Sequence, residues 1–174
     1  MITIRPLVLD DAGPLAALRV ASRAYLEPWE PDRGEAAYTV EGLRESIEAA
    51  FARTEAGTGV AHAIEEDGRV VGQIFHNSII VGPYFRSCSI GYWVAQSEAG
   101  RGIASAAVDL AKRFAFNDLG LARVQAETLL DNHASQKVLQ RNGFEPIGVA
   151  PAFLKIAGKW QDHLLFQALN PEMD

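Results

Sequence analysis

The sequence has a single cysteine, Cys88, so no disulfide can close within the chain. A protein without disulfides suits a reducing compartment, and a cytoplasmic location is expected. No apolar run approaches the roughly 20 residues that a membrane helix needs, so no membrane partner is expected. The first residues, Met1-Ile2-Thr3-Ile4-Arg5-Pro6, show neither the basic start with an apolar stretch nor the cleavage site of a secretory leader. The four histidines, His62, His76, His133 and His163, lack i,i+4 pairing and cysteine companions, so no metal site is read. Positive charge is not in surplus either. A formal net charge of −6 disfavours nucleic acid and favours cationic partners, amines among them. Internal repeats, low-complexity stretches and linkers are missing, so the 174 residues are expected to form one domain, 1–174.

What is present is ordinary globular composition, 48% hydrophobic and 22% charged. Ile2 to Arg5 alternates like a short strand before Pro6. Asp10 and Asp11 can cap a helix with Leu15, Leu18 and Ala21 on one face. Prolines and a glycine make Pro28 to Gly34 a loop, and Thr39 caps a second helix striped by Leu43, Ile47 and Phe51. Asp67-Gly68 is a hairpin signal between β-branched runs Val60–Glu65 and Val70–Val81, and Ser87–Val94 makes a third antiparallel strand. A helix carrying Ile103, Ala107, Leu110 and Phe114 follows, ended by Gly120. Arg123–Leu129 reads as a strand, Asn132–Asn142 as a short helix stopped by Gly143, and Phe144–Ala150 and Gln161–Leu169 as the last strands. The order βααβββαβαββ predicts an α+β architecture, a mixed sheet flanked by helices.

Two fragments carry chemistry. Ala99-Gly100-Arg101-Gly102-Ile103-Ala104-Ser105 links a strand to a helix. Such a turn exposes backbone N–H groups that no intrahelical carbonyl can take, and with the helix dipole they form a seat for phosphate oxygens. A missing Gly-Lys-Ser/Thr ending argues against a Walker-type nucleotide site. The second fragment is Asn132-His133-Ala134-Ser135, running through Val138-Leu139 to Gly143-Phe144. Together they resemble the acetyl-CoA-binding half of the GNAT (Gcn-related) N-acetyltransferases, in their RimJ/RimL-like branch. That family's pyrophosphate loop runs Gln/Arg-x-x-Gly-x-Gly/Ala, and its next helix starts Asn-x-x-Ser and ends near Gly-Phe. Here the residues are Ala99-x-x-Gly102-x-Ala104, Asn132-x-x-Ser135 and Gly143-Phe144, with Pro28-Trp29 and Gly158-Lys159-Trp160-Gln161-Asp162-His163 extending the likeness over nearly the whole chain. Ala99 departs from the pattern, since the family usually has Gln or Arg there.

The resemblance implies the GNAT fold: a mixed, mostly antiparallel sheet of about seven strands with a splay between the fourth and fifth. It implies acetyl-CoA as cosubstrate and no metal. Contacts to it are implied from the strand tip Tyr92-Trp93-Val94, from the loop residues Ala99 to Ser105, and from Asn132, Ser135 and Leu139. Arg101 would add charge at the pyrophosphate. Asn132 suits a helix N-cap, and the family reading points it at pantetheine; both can hold together. Ser135 is placed to hydrogen-bond the departing thiolate.

The reaction implied is direct attack of a neutral amine on the thioester carbonyl. Near pH 7, deprotonation costs roughly 1 kcal/mol for an α-amine and roughly 4.6 kcal/mol for a lysine. Glu127, on the fifth strand beside the splay, is the first candidate base, Glu30 the second, with Asp162 and His76 behind; Glu127, Ser135 and Asn132 form the candidate chemistry. Asp162 and His163 are adjacent on a strand, so they point to opposite faces and cannot cooperate directly. Tyr25, Trp29 and Glu30 are expected on the acceptor side. Cys88 reads as buried and inert. The expected activity is acetylation of a primary amine, such as the N-terminal amine of a ribosomal protein. Alternatives are a small-molecule acceptor (polyamine, aminoglycoside or amino acid) and a non-catalytic acyl-CoA-binding module. Edge strands in this fold often pair across subunits, which makes a homodimer an expectation.

Overall fold

The β-branched runs assemble into one seven-stranded sheet in the computed structural model, which describes residues 1–173. Its strands are β1 (Ile2–Pro6), β2 (Gly59–Glu66), β3 (Arg69–Val81), β4 (Arg86–Val94), β5 (Arg123–Leu129), β6 (Glu145–Ile156) and β7 (Lys159–Leu169), and their spatial order is β1-β2-β3-β4-β5-β7-β6. Every neighbouring pair is antiparallel except β4–β5. Asp67 and Gly68, at φ 51° and 80°, supply the two successive positive values that a tight two-residue hairpin requires.

Five helices cover the sheet: α1 (Ala12–Ala21), α2 (Arg23–Leu26), α3 (Val40–Glu55), α4 (Ile103–Arg113) and α5 (His133–Arg141). Strand alternation sorts the core into two faces. Leu15, Leu43, Ile47, Ala63 and Trp93 pack with α1 and α3; Ile64, Ile74, Val108, Leu139 and Phe166 pack with α4 and α5.

Several boundaries differ from the sequence reading. Asp11 does not cap α1: its carboxylate takes the Arg5 guanidinium and the Val8 N–H instead. The buried stripe of α1 is Ala12, Leu15, Ala16 and Arg19, leaving Ala21 exposed, and in α3 Ala50 is buried in the place expected of Phe51. Thr39 does cap α3, accepting the Gly42 N–H at 3.1 Å. The Pro28 loop opens with a 3-10 turn, Glu27–Trp29. Helix α4 begins at Ile103 and gives way to a π-turn at Phe114–Asp118, which sets the Phe114 ring against His62 and His76 at 4.9 and 5.1 Å. Strand β6 runs to Ile156, six residues beyond the expected end, because β7 begins two residues early and pairs with it.

The decisive feature is the β4–β5 pair. It is hydrogen-bonded only from Ser87–Arg123 to Ser89–Gln125. Beyond that the strands diverge, and β5 keeps its ladder with β7 to Leu129. The end of β4, Ile90–Val94, therefore has a free edge facing the gap.

Candidate active site

The chain leaves β4 at Val94, passes a short 3-10 turn at Gln96–Glu98, and enters α4 through Gly100 and Gly102. Both glycines have positive φ, 76° and 80°, a backbone that side chains rarely adopt, so the turn needs residues without a Cβ. Gly102 is the N-cap of α4 and no side chain caps the helix. The first N–H groups of α4 thus have no partner inside the helix. They edge a groove of about 350 Å³ between the β4 tip, this turn and α5. Tyr92, Trp93, Val94, Ala99, Gly100 and Gly102 line it, as do Ile103 to Ser105 and Asn132 with Ser135.

Arg101 is directed elsewhere. Its guanidinium lies 2.8 Å from Glu66 and also pairs with Glu98; Glu98 lines the groove, Arg101 and Glu66 do not. Both carboxylates raise its affinity for the proton, Glu66 foremost. The basic groups that do line the groove are Lys137 and Arg141 of α5. Sequence reasoning missed them, although spacing from Ala134 (i+3, i+7) was the available signal. Leu139 is fully buried in the core and reaches only the floor of the neighbouring cavity, while Val138 takes the groove position. Tyr25 also lines this groove, not the acceptor side on which it was expected.

Where the groove deepens, Tyr92 and Ser135 meet, hydroxyl to hydroxyl at 2.7 Å. Burial pushes the Tyr92 phenol up to about 12, so it stays protonated. Asn132 caps α5 by accepting the Ser135 N–H at 3.2 Å. The cap holds Ser135 in the first turn, facing the splay.

A second cavity, about 780 Å³, continues past Tyr92 and Ser135 to the α1–α3 face. Trp29, Glu30, Glu127 and His163 are among its walls. Glu30 is not free: it pairs with buried Arg19 and lies 3.7 Å from Arg33. Arg19 in turn stacks on Trp93 and Tyr38 at 5.2 and 5.5 Å. Glu127 has no hydrogen-bond or ion-pair partner among the described residues, and burial raises its pKa above the usual carboxylate range. His76, by contrast, is fully buried in the core with Nε2 on the Ala111 carbonyl, and Asp162 is exposed and accepts the Ala152 N–H; neither reaches the cavity. Cys88 is buried and its thiol is pushed up to about 12, far from thiolate chemistry.

Residues 1–145 match the acetyltransferase (GNAT) domain. The chain belongs to that family. This GNAT acetyltransferase is 34% identical over 173 residues to the probable N-acetyltransferase YjcK of Bacillus subtilis, covering 98% of this chain and 95% of that one. It is 27% identical over 164 residues to the ribosomal protein uS5-alanine N-acetyltransferase of Escherichia coli, covering 93% and 84%. Its fold superposes on Mycobacterium smegmatis RimJ in complex with CoA-disulfide with a TM-score of 0.95 at 33% identity, over 99% of this chain and 83% of that one. The GNAT acetyltransferase is thus an N-acetyltransferase that uses acetyl-CoA. Among the described residues no group of side chains could hold a metal, and no helix is long and apolar enough to cross a membrane.

Proposed function

We propose that this acetyltransferase modifies the N-terminal α-amine of a protein, with ribosomal proteins as the acceptor class. The observation that carries the proposal is the charge of the acceptor cavity. Its charged lining is Arg19, Arg33 and Arg53 against Glu30 and Glu127, and Glu30 is already paired with arginine. Polyamines and aminoglycosides carry several positive charges and need a surplus of carboxylates. A peptide N-terminus brings one ammonium, which the single unpaired carboxyl of Glu127 matches, followed by neutral backbone that a wide cavity admits. The E. coli relative, which acts on an alanine of ribosomal protein uS5, supports the acceptor class.

In this reading the diphosphate of acetyl-CoA takes the N–H groups at the start of α4, with Lys137 and Arg141 alongside. The amides of its arm pair with the free edge of β4. The amine nitrogen attacks the carbonyl carbon, the C–S bond breaks, and the leaving sulfur receives a hydrogen bond from Ser135, itself held by Tyr92. Asn132 acts through the α5 cap that orients Ser135. Trp29 and the Glu30–Arg19 pair form the outer wall.

The test is a product screen. Purified protein with acetyl-CoA is offered peptides copying ribosomal-protein N-termini, the same peptides with a blocked α-amine, spermidine and an aminoglycoside. Mass spectrometry is expected to find one acetyl group on the free α-amine and none on the blocked peptides. Faster acetylation of the polycations than of any peptide would overturn the reading.

A further inference from the structure

We propose that Nε2 of His163 takes the proton that the acceptor amine loses, an assignment that rests on the acetyl-transfer reading above. His163 stands on β7 opposite Leu129, the last residue of β5, while Glu127 stands opposite Leu165. The two side chains are therefore diagonal neighbours on one face of the sheet, about 7–8 Å apart in such a ladder. Both line the cavity that Tyr92 and Ser135 close from the other side.

The ring's chemistry follows from its partners. Nδ1 lies 2.9 Å from the Gln161 carbonyl oxygen. A carbonyl can only accept, so Nδ1 carries the hydrogen and the neutral ring has its lone pair on Nε2. Nε2 has no partner among the described residues, yet it is not sealed away as Nδ1 of His62 and of His76 are. The side chain is otherwise buried, with the Phe153 ring 5.6 Å from it. It is thus a fixed imidazole with one basic nitrogen open to the cavity.

The surrounding charges favour this use. Glu127 on β5 faces the ring's side of the cavity, and Glu30 with Arg19 and Arg33 stands on its outer wall. Strand β6 packs against the ring without a titratable group from Ala150 to Leu154, and α5 contributes Ser135 and the Asn132 cap. Asp162, the sequence neighbour, is turned to the Ala152 N–H. The incoming ammonium gives one proton to Nε2 and becomes the neutral nucleophile. Its nitrogen bonds to the acetyl carbon, the C–S bond breaks with its electron pair on sulfur, and the second N–H proton reaches the thiolate through water. The imidazolium formed stands on the same sheet face as the Glu127 carboxyl and releases its proton to solvent. Glu127 then serves to hold the incoming ammonium.

The experiment compares wild type, His163→Gln, His163→Asn and Glu127→Gln, using the best peptide of the screen and calorimetric titration with CoA. Both His163 variants are expected to bind CoA as wild type does. Their kcat/KM should fall about 10²-fold near pH 7 and recover to within about fivefold near pH 9.5, where bulk water has already neutralised the α-amine. Glu127→Gln should raise KM for the peptide and show no such recovery. A loss equal at every pH in both His163 variants, a wild-type rate at pH 7, or the recovery appearing in Glu127→Gln instead would overturn the assignment. A wild type that acetylates no amine at any pH would sink the acetyl-transfer reading itself, a result separate from an active wild type with indifferent variants.

Discussion

At the scale of single residues, the proposed chemistry turns on two hydroxyls and the cap beneath them. Ser135 shares a hydrogen bond of 2.7 Å with Tyr92. A hydroxyl donating to a sulfur that gains charge contributes more as the C–S bond lengthens than before, which is the property that lowers a barrier. Removing a hydrogen bond to a charged group costs about 1.5–3 kcal/mol, so Ser135→Ala should lower kcat by roughly 10- to 100-fold. CoA affinity should change little, because the proposed diphosphate seat is at the start of α4, and steady-state kinetics beside calorimetry would separate the two. A variant with normal kcat would remove Ser135 from the chemistry. The sequence made the Asn132 cap legible because helix capping is local: the residue type and its place before the helix suffice. It could not do the same for His163, whose meaning depends on the Gln161 carbonyl and on β5, a strand more than 30 residues away in the chain. It linked Arg101 to the diphosphate, and adjacency in sequence cannot show that the guanidinium pairs with Glu66 at the β2–β3 hairpin.

At the scale of elements, two features build the groove proposed for acetyl-CoA: a strand that leaves its neighbour, and a helix that starts without a side-chain cap. Hairpin and strand β5 were readable from turn residues and β-branched runs, since those signals are local. The helical stripes were misplaced by one position at Phe51 and Leu110, where small alanines, not large apolar residues, sit against the sheet. Periodicity marks a face without telling which side chains fit under it. The same limit hid Lys137 and Arg141, whose helix had to be placed beside the β4 tip before their charge could be set on the groove. Arg141→Gln should weaken CoA binding about five- to tenfold, the ~1 kcal/mol of an exposed charge contact, and the loss should shrink at high salt. Arg101→Gln should leave CoA affinity within about twofold, since its guanidinium is bound to Glu66 and Glu98. Titrations with CoA at two ionic strengths decide between the arginines; a larger loss at Arg101 would show that its ion pairs open when the cofactor arrives.

At the scale of the whole molecule, the face beneath α4 encloses two imidazoles that the reaction does not use. His62 and His76 lie edge to face at 5.5 Å, with Phe114 against both. Burial lowers the pKa of His62 from its ordinary 6.5 to about 4, with the neighbouring His76 adding to the effect, and burial lowers that of His76 as well. The native protein therefore holds both rings neutral, whereas the unfolded chain protonates them near 6.5. Between pH 6.5 and about 4 the unfolded state binds more protons, so stability present above this window is lost as pH falls through it. For His62 alone the loss between pH 7 and pH 5 comes to about 2 kcal/mol. The carboxylate of Glu98, lowered chiefly by its hydrogen bond from Arg69, loses its contribution only below its ordinary 4.5, outside most of that range. Glu127 acts in the opposite sense: its raised pKa means the fold keeps a proton that the unfolded chain releases, which reduces stability as pH climbs above 4.5. Urea denaturation at pH 7, 6 and 5 should thus show falling stability in the wild type, a shallower fall in His62→Leu, and a steeper fall in Glu127→Gln, where the compensating carboxyl is gone. A wild-type stability that stayed level from pH 7 to pH 5 would mean the two rings are already charged, or reached by water, within the native core.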